Sequence, residues 1–175
     1  MTKRLAIVIG VAAAGVLALG GQTAAAAPGG LKGTFRVHFP KGHPSSNAPC
    51  PPAEFCGVGR LVGYGKATIT ILDENFSGAG PCLEVTRVEA IDLIGSSDKL
   101  VLDEEGTFCP PGRSGDSHAG PNSYGHPGRW RLDYTVDGGA SSGIFTGATG
   151  SGHERFHSAG GAGIWRVSGE LTLAG

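Results

Sequence analysis

The sequence predicts an all-β protein, an eight-stranded antiparallel β-barrel following an N-terminal signal peptide, on three observations. Short segments alternate apolar and polar residues with period two. Glycine (32 residues) and proline (11) interrupt nearly every window long enough for a helix. The one long helix-compatible stretch, Leu5 to Leu19, sits at the N terminus in the layout of an export signal.

That signal comes first along the chain. Lys3 and Arg4 precede an uncharged run from Leu5 to Gly20, which closes on Thr23-Ala24-Ala25-Ala26-Ala27-Pro28. A membrane anchor needs roughly 20 consecutive apolar residues, and this run is shorter and interrupted by glycine. Cleavage is expected after Ala26, since Ala24 and Ala26 then occupy the small-residue positions, whereas a cut after Ala27 would meet Pro28. Residues 1–26 are therefore expected to be removed, leaving 27–175 as a single secreted domain without a stable membrane anchor. The whole chain carries a formal charge of −1, and loss of Lys3 and Arg4 makes the remainder more acidic, which argues against nucleic acid as a partner.

The first strand is expected at Thr34 to Phe39, with Phe35, Val37 and Phe39 on its dry face. An irregular segment, Pro40 to Pro52, leads to the cysteines. Cys50, Cys56, Cys82 and Cys109 all lie in the exported part, where an oxidising compartment permits pairing. Four cysteines allow three connectivities. The short, proline-stiffened segment between Cys50 and Cys56 favours a local bridge there, with Cys82–Cys109 as the long one. Zinc through cysteine would need close ligand pairs that only Cys50 and Cys56 approach.

Ala67 to Ile71 alternates through Ala67, Ile69 and Ile71, and Leu83 to Ile94 and Lys99 to Asp103 are apolar enough to be strands. In the Leu83 segment, Leu83, Val85, Ile91 and Leu93 define one face, and that phase carries Arg87 and Glu89 inward. Buried charges must be paired, so Arg87 and Glu89 are candidate acid–base or ligand-orienting residues. The alternative is a β-bulge within this strand that switches the phase, because Val88, Ala90 and Ile94 suit the opposite face. The sequence favours the bulge.

Residues 110–129 show no periodicity and read as a long irregular loop. Trp130, Leu132, Tyr134 and Val136 then alternate with polar residues, and Trp165, Val167, Gly169, Leu171 and Leu173 do so near the C terminus. Between them, Ile144-Phe145 and Thr149 to His157 are weaker strand candidates, which brings the count to eight. Closure into a barrel removes exposed edges. The large inward residues, among them Phe35, Trp130, Tyr134 and Trp165, argue for an interior filled by side chains.

His153-Glu154-Arg155-Phe156-His157 reads H-E-x-x-H, the string of zinc hydrolases, so His153 and His157 are remote metal candidates. That chemistry requires a helix to bring both imidazoles to one ion. The flanking glycines oppose a helix, and on a strand the two histidines stand about 13 Å apart. A strand with His153, Arg155 and His157 on one face is expected, and no metal or other cofactor. The other histidines, His38, His43, His118 and His126, read as solvated.

The stretch Ser142-Gly143-Ile144-Phe145-Thr146-Gly147-Ala148-Thr149-Gly150-Ser151-Gly152, with Gly161-Ala162-Gly163-Ile164-Trp165 and the terminal strand Ser168 to Leu173, resembles the C-terminal half of allene oxide cyclase barrel-like and dirigent-like proteins. The resemblance covers residues 142–173 and implies an eight-stranded antiparallel barrel, with Phe145 plugging one end. It also implies a cavity for a small hydrophobic molecule, since plant members act in cyclisation and radical coupling. It carries over no catalytic residue.

The expected function is that of a secreted small barrel of unknown activity, non-enzymatic in the favoured reading, whose interior could hold a small hydrophobic ligand. The alternative is a cyclase- or isomerase-type enzyme drawing on Arg87, Glu89, Tyr64 or Tyr134, and the remote one is a zinc hydrolase. Ligand identity and oligomeric state are not legible in the sequence.

Overall fold

The computed structural model describes residues 29–38, 56–110, 128–159 and 162–175. Eight strands follow in chain order: β1 (Gly29–His38), β2 (Cys56–Leu61), β3 (Gly65–Ser77), β4 (Leu83–Leu93), β5 (Lys99–Cys109), β6 (Gly128–Val136), β7 (Ser151–Ala159) and β8 (Ala162–Leu171). Each pairs antiparallel with the next, and β8 returns to β1 over ten residue pairs, closing the barrel. The closed, up-and-down path leaves no strand edge among the described residues. No described helix is long and apolar enough to cross a membrane. The proposed signal, residues 1–26, and Cys50 lie outside the described residues.

Several strand assignments differ from the sequence reading, and β3 and β5 run well beyond Ile71 and Asp103, to Ser77 and Cys109. Ile144-Phe145 is not a strand but part of a 3-10 turn, Gly143–Phe145. The eighth strand is instead β2, whose Cys-Gly-Val-Gly-Arg-Leu sequence hides its alternation because two of its three inward positions are glycines. In addition, β6 begins at Gly128, so Arg129 belongs to a strand and not to the loop.

The interior follows the pleat. Leu31, Phe35 and Val37 of β1 and Trp130, Leu132 and Tyr134 of β6 point inward, as do Trp165, Val167 and Leu171 of β8, and all are buried. One end is closed by the β6–β7 connection. Phe145 there is fully buried and its ring lies 5.1 Å from that of Tyr64. The connection is stitched to the β4–β5 turn, since Asp98 Oδ1 accepts from Ile144 N and Val101 N donates to Ser141 Oγ. Gly143 sits at φ +63° directly against the Asp98 side chain, where any Cβ would collide. The opposite end carries the Cys82–Cys109 disulfide, with Cα atoms 4.2 Å apart. Cys56 is also disulfide-bonded.

Candidate active site

β4 keeps a single phase throughout, so the bulge expected within it does not occur there. Val85, Arg87, Glu89, Ile91 and Leu93 are all buried on the inward face. The bulge lies instead in β3, where the register slips between Ile71 and Asp73 and Leu72 is turned outward. Its effect is to switch the inward set of β3 from odd to even positions. Ala67, Ile69 and Ile71 face the core before it, and Glu74 and Phe76 after it. Glu74 thereby comes opposite Arg87.

Two further glutamates reach the same point. Glu104 of β5 is the cross-strand partner of Arg87 and holds the inward phase of Leu100, Leu102 and Phe108. Glu154 of β7 points inward because its neighbours His153 and Arg155 point out. Four strands thus direct four carboxyl groups at one guanidinium. Arg87 Nε donates to Glu104 Oε2 at 2.6 Å and Nη2 donates to Glu154 Oε1. Nη2 also lies 3.1 Å from Glu89 Oε2, and Nη1 lies 3.9 Å from Glu74 Oε1. Every side chain in this set is at most 1% exposed.

Aromatic rings enclose the cluster. The guanidinium carbon stands 4.6 Å from the Trp165 ring centroid and 5.8 Å from that of Trp130, a cation–π arrangement in a dry interior. Trp130 stacks on Phe108 at 4.3 Å, and Phe156 lies 5.4 Å from Trp165. These rings stand between the charges and the disulfide-bearing end of the barrel.

The charge balance decides what the cluster can do. Glu89, Glu104 and Glu154 offer carboxylate oxygens that all lie within 4.8 Å of one another. Burial, followed by the charges of Glu104 and Glu154, pushes Glu89 well above the usual carboxylate range. Burial likewise pushes Glu104 well up; Arg87 opposes this, and Glu154 adds to it. For Arg87, burial works against the charge, but the facing glutamates outweigh it and hold the guanidinium protonated. Among the described residues, Glu104 Oε1, Glu154 Oε2 and both oxygens of Glu89 accept no hydrogen bond, although Glu89 Oε2 is ion-paired with Arg87. The cluster is therefore a set of crowded buried carboxyls, Glu89 and Glu104 pushed toward the neutral form, gathered around one arginine. Three carboxylates at this spacing would suit a divalent cation, but the guanidinium already fills the cation's place among them.

Tyr134 completes the interior. Its hydroxyl is buried with no hydrogen-bond partner among the described residues, and burial together with Glu104 and Glu154 raises its pKa. The oxygen nests against Gly152 and Gly169, where a Cβ on either residue would strike it.

The other candidates lie apart from this site. His153 and His157 are on the outer face of β7, exposed, with Glu154 on the opposite face. The residue spacing of H-E-x-x-H is thus spread over two faces of a strand. His153 Nδ1 pairs with Asp133 Oδ1 in solvent. Tyr64 packs against Phe145 at the closed end. His43, His118 and His126 fall outside the described residues.

Fold and site together define an eight-stranded barrel with a buried arginine–glutamate cluster. Compared with known protein families, with curated proteins and with solved structures, the chain matches none.

Proposed function

We propose that this is an exported barrel that takes a small, mostly apolar molecule against the Arg87 cluster and acts on it by acid–base chemistry of the isomerase or cyclase type. The observation that carries this reading is the excess of buried carboxyls over the single guanidinium. It leaves carboxylic acid and carboxylate side by side in an apolar site at neutral pH, so that one group removes a substrate proton while a neighbour supplies one. Arg87 orients a polar head group or stabilises a developing oxyanion. The resemblance of residues 142–173 to allene oxide cyclase barrel-like and dirigent-like proteins supports the same substrate class. Entry past Trp130 and Phe108 requires those rings to part.

The test is base-catalysed opening of 5-nitrobenzisoxazole by the full-length secreted protein. A buried carboxylate takes the C3 proton, the N–O bond breaks, and the electron pair remains on a coloured phenolate. Saturable turnover that rises with pH above the ordinary carboxylate range, and that is lost in a folded Glu89→Gln/Glu104→Gln variant, is expected. Unsaturable turnover, or turnover indifferent to both substitutions, overturns the proposal. A second reading, a passive barrel whose cluster only fixes strand register, is favoured by the large side chains that fill the interior; it predicts the latter outcome.

A further inference from the structure

The outer wall of the barrel carries a row of basic side chains, although the whole chain is nearly neutral. Strand register places Arg131, Arg155 and Arg166 directly opposite one another on β6, β7 and β8. The same row continues through Thr34 of β1 to Arg60 of β2 and Lys66 of β3. One step along, Arg129 stands beside His157, and Arg36 is reached across Ile164. All these basic side chains are exposed and none has an acidic partner among the described residues. Asp133, the outward acid nearest Arg131 on β6, is engaged by His153. The outward acids Asp73, Asp103 and Glu105 lie on β3 and β5, at the margins of the row, and the exposed Glu170 lies on β8 four residues beyond Arg166.

Like charges facing each other across neighbouring strands destabilise a sheet, and folding gains nothing from setting three arginines in one row. Adjacent strands lie about 4.8 Å apart, so Arg131, Arg155 and Arg166 present three guanidinium groups at roughly that interval, and beyond the uncharged Thr34 the row resumes with Arg60 and Lys66, over an arc of about 24 Å in all. Arg129, Arg131, Arg155, His157 and Arg166 also line a surface groove of about 540 Å³. We propose that this face binds a linear, base-free polymer of phosphate groups. Its closely spaced negative charges match the row, and its oxygens accept the forked donors of arginine. Trp130 and Phe156 also line the groove, but both are buried inward side chains, so among the described residues no Trp, Tyr or Phe ring projects from the row to stack a nucleobase, which separates this surface from a single-stranded nucleic-acid platform.

The experiment uses the full secreted protein and short-chain inorganic polyphosphate, titrated at several salt concentrations. Binding is expected to weaken with salt, with a log–log slope of several units. The triple variant Arg131→Gln/Arg155→Gln/Arg166→Gln is expected to bind at least tenfold more weakly and to lose about 2 units of slope, close to 0.7 for each contact removed. Because the substitutions relieve repulsion, the variant should melt no lower than the parent, so lost binding is not lost fold. Affinity unchanged by the triple variant overturns the proposal. So does equal or tighter binding of single-stranded DNA of matched charge. Salt-sensitive self-association seen by light scattering would assign the basic face to the acidic face of a second copy, and would also overturn it.

Discussion

Replacing Glu89 with glutamine isolates the electrostatic claim at the centre of the barrel. At an effective dielectric constant of about 20, two carboxylates at 4.8 Å repel by about 3.5 kcal/mol. Neutralising Glu89 forfeits its attraction to Arg87 across 3.1 Å, about 5 kcal/mol, and relieves about 7 kcal/mol of repulsion if Glu104 and Glu154 are both ionised but only about 3.5 kcal/mol if Glu104 holds a proton. The Coulomb terms therefore nearly cancel, and desolvation, the largest influence on Glu89, makes the neutral side chain preferred. The sign of the pH dependence follows. Glu89 and Glu104 bind protons more tightly in the folded barrel than in the unfolded chain. Their contribution is fully present below the unfolded carboxyl value, about 4.3, and is lost as pH rises through the raised native values. Each group contributes a slope of about 1.4 kcal/mol per pH unit in that window, so the parent loses about 2.7 kcal/mol per unit where both titrate. Glu89→Gln should halve that slope and stabilise the barrel at pH 7, while matching the parent within about 1 kcal/mol at pH 4. Urea unfolding followed by tryptophan fluorescence, disulfides intact, at half-unit steps from pH 4 to 8 measures this. A parent protein that gains stability as pH rises, or a variant that loses 3–5 kcal/mol at pH 7 as a broken buried ion pair would, refutes the reasoning.

Three further outcomes are expected. Arg87→Met removes the cation and leaves four carboxyls facing apolar surface, so it should cost about 3–5 kcal/mol at pH 7 and far less at pH 4, by the same urea measurement. Gly169→Ala drives a methyl group into Tyr134 Oη and Ser151 O, and should cost about 1–3 kcal/mol with a changed tyrosine ultraviolet spectrum. Removing the Cys82–Cys109 bridge with Cys82→Ala/Cys109→Ala frees a closure of 27 residues, which should lower stability by about 3.5 kcal/mol in denaturant titration.

The barrel was legible because period-two alternation survives wherever inward residues are large, as at Trp130, Leu132 and Tyr134. It failed at β2, where Gly57 and Gly59 leave inward positions without side chains. The cluster was half legible. Arg87 and Glu89 stood out as charges on an apolar phase, while Glu104 and Glu154 lay beyond a strand ended too early at Asp103 and inside a string that resembles a zinc motif. Glu74 could be placed only by knowing that Leu72 is extruded, a register choice made by the β4 partner and not by β3 alone. Yet the misplaced bulge is itself informative. It was invoked in β4 to keep Arg87 and Glu89 out of the core, because a core built for stability alone excludes them. The folded chain does the reverse: it spends the irregularity in β3 to bring one more carboxyl, Glu74, in toward Arg87. Sequence rules that hold across the rest of a fold tend to fail at working sites. Here they fail on β3, β4 and β5, three of the four strands whose carboxyls meet around one guanidinium, and that convergence favours acid–base chemistry over a passive polar core.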